Sequence, residues 1–424
     1  MDLSRFLKRQ GAAPAPQESG EKPALAEFAA ASAGRIAAFL AKTQLFDAET
    51  YLRLYPEVKK QGVEPLRHFV QAGIHGGRNF TSPRAVARLW REVLRGEAPP
   101  ERAAPPFTAP ERHRVAIYVS SLGNFFMQEI AAILKAGFDD LGVAATLRDE
   151  NAPPQIGATH HIVVAPHEFF VLGNGRRFAS EDFLARAVLF STEQIQTQWF
   201  ALSLPYLTRA KAVGDMNPQT AAILRKGGLK AVTAQPGFTP SFAPFASGDA
   251  AAPDLREYAA RPVDVAFTGT HSARREKLLA SYAPLFAEMR TFIYYSRTRA
   301  PLRPETTPMA APEASASLIR RSKVLINLHR DEYTYFEWWR IMQAFWMGAA
   351  VVSEPCFPHP AFKPGIHYFE ESGRHIAHLA QWLARSDEGA AAAQAMRARA
   401  FDDLRTQAPA KSAALALLHA GGAA

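Results

Sequence analysis

Residues 322–355 read SKVLINLHRDEYTYFEWWRIMQAFWMGAAVVSEP, and this stretch decides the fold. It begins with an apolar run that is typical of a buried strand, and a helical pattern follows from near Tyr335. Gly348 ends that helix, and the short apolar run AAVV after it predicts a second strand. A strand, a helix and a strand in this order predict two parallel strands joined by a crossover helix.

The same stretch combines charged and aromatic side chains in a way that a plain core helix does not need. Glu337 and Arg340 lie one turn apart on the predicted helix, next to two tryptophans. Asn327 and His329 follow the first strand, and Glu354 follows the second. Ligands of open α/β sheets bind beyond the carboxyl ends of the strands. The stretch therefore predicts a ligand-binding edge, where aromatic rings could stack on a base or a sugar or pack between domains.

The composition is that of a globular protein with more than one domain. A length of 424 residues predicts two or three domains, and 48% hydrophobic with 21% charged residues fits a soluble chain. The single cysteine, Cys356, excludes an intramolecular disulfide and fits a reducing compartment. We expect neither a secretory signal nor a transmembrane helix, because no run of about 20 apolar residues occurs.

The charge predicts anionic partners. The net charge is +9 and the pI is about 9.6, mostly from scattered arginines. A nucleotide diphosphate, or transient peripheral association with an anionic membrane surface, explains this charge equally well. Nucleic acid is the weakest alternative, because no interleaved basic and aromatic motif of the RNP type is present.

Stretches rich in Pro, Ala and charge divide the chain into three structured segments. The first is helical, with Asp47 as a helix N-cap and Pro65 at the start of a further helix, and we interpret it as a small module with its own core. The predicted organisation is a flexible N-terminus 1–24, a helical module 25–95, a Pro-rich linker 96–112, an N-terminal Rossmann-like acceptor domain 113–242, a linker 243–262, a C-terminal Rossmann-like donor-binding domain 263–405 and an Ala-rich tail 406–424 that frays or forms a weak helix.

Both larger segments alternate short apolar runs with helical patterns. This alternation predicts an α/β fold of two doubly wound domains that face a cleft. Polar residues at the predicted strand ends are the candidate functional residues: Ser121, Gly123, Asn124, Pro166, His167, Glu168, Thr192, Glu193 and Gln194 in the first domain, and Gly269, Thr270, His271, Asn327, His329, Ser353 and Glu354 in the second.

The sequence FTGTHSARRE, residues 267–276, has the features of a phosphate site. Gly269 permits close backbone approach, the following helix offers free N–H groups, and Arg274 or Arg275 adds positive charge. It matches neither GxGxxG nor a P-loop. An ordinary strand-to-helix turn capped by Ser272 explains the pattern about as well.

Two residues of the first domain are candidates for acid–base chemistry. His167 could act as a base or bind a hydroxylated acceptor, although a histidine at a strand end is more often structural. Glu193 is the better candidate, because an acid between Thr192 and Gln194 at a strand end has few structural reasons to be there. Motifs such as HExxH, GxSxG and DxD are absent, which disfavours zinc proteases, α/β-hydrolases and metal-dependent glycosyltransferases.

Residues 322–369 resemble the donor domain of GT-B glycosyltransferases, particularly bacterial polysaccharide-type and CgeB-like members. Their shared pattern is an arginine and a glutamate on a helix, followed by a G-x-x-V-V-S-E strand and an F-x-x-G loop. Residues 46–80 resemble a short helical module attached to bacterial sugar transferases. The resemblance implies a metal-independent, cofactor-free enzyme that moves a sugar from a nucleotide-sugar to a glycan, glycolipid or protein. It also implies a role in cell-surface polysaccharide or glycoconjugate synthesis, in the cytoplasm or peripherally at the inner face of the membrane.

Many retaining GT-B enzymes have two glutamates with seven residues between them, and Tyr335 and Gln343 stand at those positions here. This departure leaves retaining and inverting chemistry open, and it motivates the alternative of a catalytically weak nucleotide-binding or scaffold protein. The predicted site residues are Glu193, His167 and Glu337 for catalysis; Gly269, Thr270, His271, Arg275, Asn327, His329, Arg340, Gln343 and Glu354 for the donor; and Gly123 and Asn124 for the acceptor.

Overall fold

The computed structural model describes residues 21–101, 107–242, 245, 258–297 and 300–423. Residues 1–20 of the predicted flexible N-terminus and most of the predicted linker 243–262 lie outside these ranges. The described residues form two compact units, each built around its own sheet. The first unit falls within Met1–Gly123, Leu141–Ala234 and Leu415–Ala424, and the second within Asn124–Asp140 and Gln235–Ala414.

The first unit contains a six-stranded sheet in which all neighbouring strands are parallel. The strand order is β2-β1-β3-β4-β5-β6, so the order reverses between β1 and β3. The third to fifth strands are buried along their whole length, which explains why most of their residues are apolar. The strands are β1 Arg114–Tyr118, β2 Ala144–Arg148, β3 His160–Val164, β4 Ala187–Ser191, β5 Ala212–Asp215 and β6 Ala231–Thr233.

The second unit contains a five-stranded parallel sheet with the order β11-β10-β9-β7-β8. Its order reverses at β7, because β8 lies on one side of β7 and β9 on the other. Two parallel sheets with flanking helices confirm the predicted α/β fold class. The strands are β7 Val263–Thr270, β8 Thr291–Ser296, β9 Ser322–Asn327, β10 Ala350–Ser353 and β11 Phe369–Glu370.

Helices connect most of the consecutive strands, whereas β2 is joined to β3, and β10 to β11, without a helix. The helical region before the first sheet has α1 Glu21–Thr43, α2 Ala48–Leu54, α3 Pro56–Lys60, α4 Pro65–His68, a π-helical turn Phe69–Gly73 and α5 Pro83–Leu94. The helices that follow are α6 Phe125–Asp139, α7 Pro166–Phe169, α8 Glu181–Leu184, α9 Gln198–Leu207, α10 Pro218–Lys226, α11 Ala273–Phe286, α12 Pro312–Arg321, α13 Trp338–Met347, α14 Ile376–Arg385, α15 Asp387–Gln407 and α16 Ala410–Ala420. Short 3₁₀ turns span Pro110–Arg112, Gly173–Phe178 and Pro308–Ala310.

The helix in the opening stretch begins three residues later than its pattern predicts. Glu337 has φ −71° and ψ 71°, and the N–H of Trp338 donates to the carbonyl of Phe336 over 2.7 Å. This tight turn places Glu337 at the N-cap of α13 and not on its helical face. Gly348 ends the helix with φ +69°, as its position after the last apolar residue predicts.

The helical region has an apolar centre of its own. Tyr51, Phe69 and Phe80 are fully buried, and the last two rings stack 4.9 Å apart. Asp47 caps α2 as predicted, because its side chain accepts from the N–H of Thr50 over 2.9 Å.

This helical region also packs on the first sheet's helices. α1 contacts α9 and α10, and α5 contacts α10. Phe39 lies so close to Gly227 that a Cβ there would collide with its ring. Lys226 pairs with Glu92 over 2.6 Å. The region therefore covers part of the first unit, in addition to holding its own core.

Deletion of residues 1–95 tests how far the first unit depends on this cover. We expect the shortened chain to unfold at a clearly lower temperature and to aggregate, because helices α9 and α10 lose apolar neighbours. Differential scanning calorimetry and light scattering of both chains measure this. A soluble shortened chain with an unchanged melting temperature would show that the Pro-rich segment marks an independent boundary.

The predicted Ala-rich tail is instead a helix that packs on the first sheet. Leu417 and Leu418 of α16 are fully buried, and Leu417 leaves no room for a Cβ at Gly214 of β5. Alanine and leucine are strong helix formers, and the buried leucines anchor the helix. Of the two alternatives for residues 406–424, Ala410–Ala420 adopt the helix and do not fray.

Glu129 is a buried acid on α6, within the second unit. Its side chain is 3% exposed, and neither carboxylate oxygen has a hydrogen-bond partner among the residues that the structure describes. Burial, with a smaller contribution from the charge of Glu313 on α12, raises the pKa of Glu129 to about 8. The folded protein therefore holds a neutral carboxylic acid at this position near pH 7.

The stability of the second unit should depend on this proton. The pKa of Glu129 is raised from 4.5 to about 8 in the folded state. The stability that depends on its protonated form is therefore fully present below pH 4.5 and is lost as the pH rises to about 8. The free energy of unfolding of the parent should fall by roughly 3–5 kcal/mol across that window, and we expect this fall to be absent in Glu129→Gln. Urea unfolding of both proteins at pH 5 and pH 9 measures the difference. Parallel pH profiles would mean that Glu129 is solvated and ionised.

None of the helices that the structure describes is long and apolar enough to cross a bilayer.

Candidate functional site

The carboxyl edge of the second sheet gathers most of the predicted donor residues at its switch point. There β7 ends at Thr270, and β9, its neighbour in the sheet, ends at Asn327. Ser272 caps α11, and its side chain accepts from the N–H of Arg275 over 3.1 Å. The turn that is predicted to bind phosphate therefore has the predicted cap.

Arg275 is turned towards the protein backbone. It is 3% exposed, and its Nε and Nη2 donate to the carbonyl of Leu328 over 3.0 and 2.8 Å. Nη1 donates to the carbonyl of Thr270 over 2.9 Å. Burial, and then the charge of Arg340, lower the pKa of Arg275 to about 9. Arg275 thus ties the loop after β7 to the loop after β9.

Arg274 forms a two-pronged pair with Glu354, which follows β10. Both terminal nitrogens of Arg274 donate to the carboxylate, one of them over 2.8 Å. The second acceptor of this side chain is the carbonyl of His329, at 3.1 Å, and the N–H of His329 donates to Glu354 over 2.7 Å. Glu354 is 3% exposed. Its carboxylate is therefore bound by protein groups and fastens the loops after β9 and β10 together.

Asn327 and His329 have buried polar atoms that no described residue satisfies. The Nδ2 of Asn327 donates to the Oγ of Ser353 over 2.9 Å, whereas its Oδ1 has no partner. The Nε2 of His329 lies 2.9 Å from the carbonyl of Pro355, whereas its Nδ1 has no partner. Buried polar groups are nearly always hydrogen bonded. These atoms therefore mark a place that suits a polar ligand group.

Arg340 brings a further positive charge to this edge. It donates through Nη1 to the carbonyl of Thr268, and its Nε has no hydrogen-bond partner within the described ranges. Burial lowers the pKa of Arg340, and Glu337 acts in the opposite direction. Arg340 and Arg275 each lie 5.6 Å from the centre of the Phe267 ring. Two guanidinium groups beside one ring add positive charge to this edge.

The remaining predicted donor residues lie on the same elements. Gly269 and Thr270 end β7, and Gln343 is buried on α13. The Nε2 of His271 lies 2.9 Å from the Oε2 of Glu276, and the His271 ring stacks on Tyr295. The structure therefore places all nine predicted donor residues and Glu337 on elements that meet at the carboxyl edge of one sheet.

The carboxyl edge of the first sheet carries a histidine between two carboxylates. The Nε2 of His167 lies 3.4 Å from the Oε1 of Glu193 and 3.8 Å from the Oε1 of Glu168. Burial lowers the pKa of His167 to about 3, so the imidazole is neutral. Its Nδ1 is buried and has no hydrogen-bond partner in the described part of the chain. The two predicted catalytic residues of this domain are therefore in contact.

The two predicted acceptor residues fall in different compact units. Gly123 belongs to the first, where the Oε2 of Glu168 leaves no room for a Cβ at this position. Asn124 belongs to the second, and its Oδ1 accepts from the N–H of Leu302 over 2.8 Å. The glycine is required by the close approach of a carboxylate, and the asparagine side chain anchors the loop.

Sequence reasoning missed two acids and one arginine at these edges. Asp215 ends β5, is fully buried and has its pKa raised well above the usual value by burial. Asp331 and Arg330 follow β9, and burial raises the pKa of Asp331. Asp215 could have been found, because it ends a predicted strand. The other two lie in a loop whose path the sequence pattern does not predict.

Both sheets are open α/β sheets with polar and charged residues at the switch point, which is where this class of fold binds its ligands. Neither a protein-family model nor a curated protein matches the chain. Solved structures match it at low identity. HepE from Anabaena, in complex with UDP-glucose, is 9% identical, with 72% of this chain and 98% of that chain covered and a TM-score of 0.46.

A glycosyltransferase from Rickettsia africae is 11% identical, with 72% of this chain and 96% of that chain covered and a TM-score of 0.42. An α-glucosyltransferase in complex with UDP and a 13-mer DNA is 10% identical, with 69% and 94% covered and a TM-score of 0.43. These likenesses are distant, and the function has to be inferred from the two strand edges themselves.

Proposed function

We propose that the protein is a GT-B glycosyltransferase that moves a sugar from a nucleotide-sugar to a hydroxyl group of a glycan, glycolipid or protein. The observation that carries this proposal is the second sheet's carboxyl edge. Buried arginines lie there beside the unsatisfied Oδ1 of Asn327 and Nδ1 of His329. A ligand with both a diphosphate and hydroxyl groups matches cations next to neutral polar atoms.

The proposed roles of the residues follow from the charges that develop during sugar transfer. Glu337, at the N-cap of α13, would offset positive charge that develops at the anomeric carbon as its bond to the leaving phosphate oxygen breaks. The departing diphosphate keeps that electron pair, and the positive edge stabilises it. The acceptor oxygen forms the new bond and gives its proton to a carboxylate base, the role that the sequence predicts for Glu193.

The chemistry we propose needs no bound metal or cofactor. The negative charge of the leaving diphosphate would be met by arginine and by the N–H groups at the start of α11. Adding a chelator should therefore leave turnover unchanged, whereas a metal-dependent enzyme would stop. We also propose that the protein acts in the cytoplasm, peripherally at the inner face of the membrane, in the synthesis of a surface glycan. Its net charge of +9 supports this.

Transfer assays with UDP-, GDP-, dTDP- and CMP-sugars test the proposal. We expect one nucleotide-sugar to bind by calorimetry and to be hydrolysed slowly without acceptor and faster with a matching glycan extract. Absence of binding by every nucleotide in the set would overturn the proposed function.

A nucleotide-binding protein with little catalysis is the second candidate. Gln343 favours it, because a neutral and buried amide stands where the GT-B resemblance implies an acid. Binding of one nucleotide without turnover on any acceptor extract would support this candidate, and measurable turnover would exclude it. Gln343→Glu is a direct probe, since a gain in activity would show what the amide has removed.

A further inference from the structure

Three arginines at the second sheet's carboxyl edge already use their guanidinium groups on the protein. Arg274 binds a carboxylate, and Arg275 and Arg340 donate to backbone carbonyls. Arg297, which follows β8, pairs with Glu276 over 2.8 Å. A guanidinium that is held in this way can position a loop, but much of its donor capacity is no longer available to a ligand.

Arg330 differs from these four. It directly follows His329 in the loop after β9, and its side chain is exposed. Among the described residues its guanidinium makes no hydrogen bond and no ion pair. Its charge nevertheless acts on this edge: burial mainly raises the pKa of Asp331, and Arg330 opposes that shift. Arg330 also adds to the lowering of the Arg275 pKa by burial and by Arg340.

The position of Arg330 suits an anion. It lies at the switch point, where β9 and β7 are neighbours, and α11 begins after β7 with its first N–H groups directed towards the same edge. A planar guanidinium with five N–H donors binds phosphate oxygens through two parallel hydrogen bonds. Because its side chain is exposed, Arg330 can bind a ligand without breaking a hydrogen bond to another described residue.

We propose that Arg330 is the arginine that contacts the diphosphate of the nucleotide ligand, and that Arg274 and Arg275 are positioning residues. This inference rests on the proposed function and deepens it, because it moves the anion contact from the loop after β7 to the loop after β9. Arg274 and Arg275 then act through the loops they hold, and only Arg330 reaches the phosphate oxygens.

Calorimetric titration of Arg330→Gln with UDP, GDP, dTDP and CDP, and with the matching nucleosides, tests the proposal. The diphosphate that binds the parent should bind the variant about tenfold to a hundredfold more weakly, which is the loss of one charge-assisted hydrogen bond. The nucleoside should bind both proteins equally. The variant should also lose part of the salt dependence of binding.

Arg321→Gln is the matched control. Arg321 is an exposed arginine of the same unit, and it precedes β9, so it lies at the opposite edge of the sheet. We expect it to leave every affinity unchanged. If the parent binds a diphosphate and Arg330→Gln binds it equally well, or loses nucleoside and diphosphate affinity alike, the inference is wrong and the proposed function stands. If the parent binds none of the four, both fall.

Discussion

Glu337→Gln is expected to lower the turnover number by about a hundredfold and to leave the donor KM nearly unchanged. The amide keeps the size and the hydrogen-bonding shape of the side chain but removes its charge. A charge that offsets the developing cation at the anomeric carbon acts most strongly in the transition state, so its loss falls on turnover. Initial rates with the preferred donor at saturating acceptor measure the effect.

Arg340→Lys is the companion variant. Lysine keeps the charge but cannot reproduce the planar contacts of a guanidinium that donates to Thr268 and lies beside Phe267. We expect a raised donor KM with a smaller change in turnover. If Glu337 and Arg340 only stabilise each other, both variants would have the kinetics of the parent. Their free energy of unfolding would be lower by about 0.2–0.5 kcal/mol, with a slightly lower melting temperature. Equal kinetics in the three proteins would therefore remove both residues from the site.

Arg275→Ala is expected to destabilise the second unit by about 3–5 kcal/mol. The side chain is buried, and its removal leaves the carbonyls of Leu328 and Thr270 without their donors. Urea unfolding of the variant should show a lower midpoint, and nucleotide affinity should fall only as far as the two loops become disordered.

Arg297→Ala is its control, because Arg297 is an exposed arginine whose pair with Glu276 contributes little. The sequence pattern predicts the opposite outcome for Arg275→Ala, namely weaker nucleotide binding by roughly 1.5–3 kcal/mol in a stable protein. That result would place Arg275 on the ligand and would contradict the internal role that its hydrogen bonds indicate.

The strands and the location of the ligand edge could be predicted from the sequence. Buried parallel strands are short and apolar throughout, and their carboxyl ends meet at one edge, so residues such as Asn327 and His329 could be placed together without coordinates. The direction of a side chain could not be predicted. Arg274 and Arg275 are neighbours in a charged turn, and only packing decides that one meets a carboxylate and the other two carbonyls.

Contacts between residues far apart in the sequence could not be predicted either. From the sequence, Glu354 has the features of a residue that contacts a ligand. In the structure it binds Arg274, which lies 80 residues earlier in the chain. The packing of Ala410–Ala420 could not be predicted, because an alanine-rich segment has no strong amphipathic pattern and its two buried leucines contact a distant strand. Glu337 was placed on the helix because sequence patterns locate helix starts only approximately.

Helix α16 has a consequence for the order in which the protein is synthesised and folds. The first sheet ends at Thr233, yet Leu417 packs on Gly214 of its fifth strand, and Lys230 donates to the carbonyl of Ala420 over 2.7 Å. The whole second sheet therefore has to leave the ribosome before the first unit is complete. A nascent chain that stops short of α16 exposes an apolar part of the first unit, and such intermediates are prone to aggregate. Contacts of this sequence separation also slow folding. A chaperone that holds the first unit until synthesis ends would raise the yield of native protein.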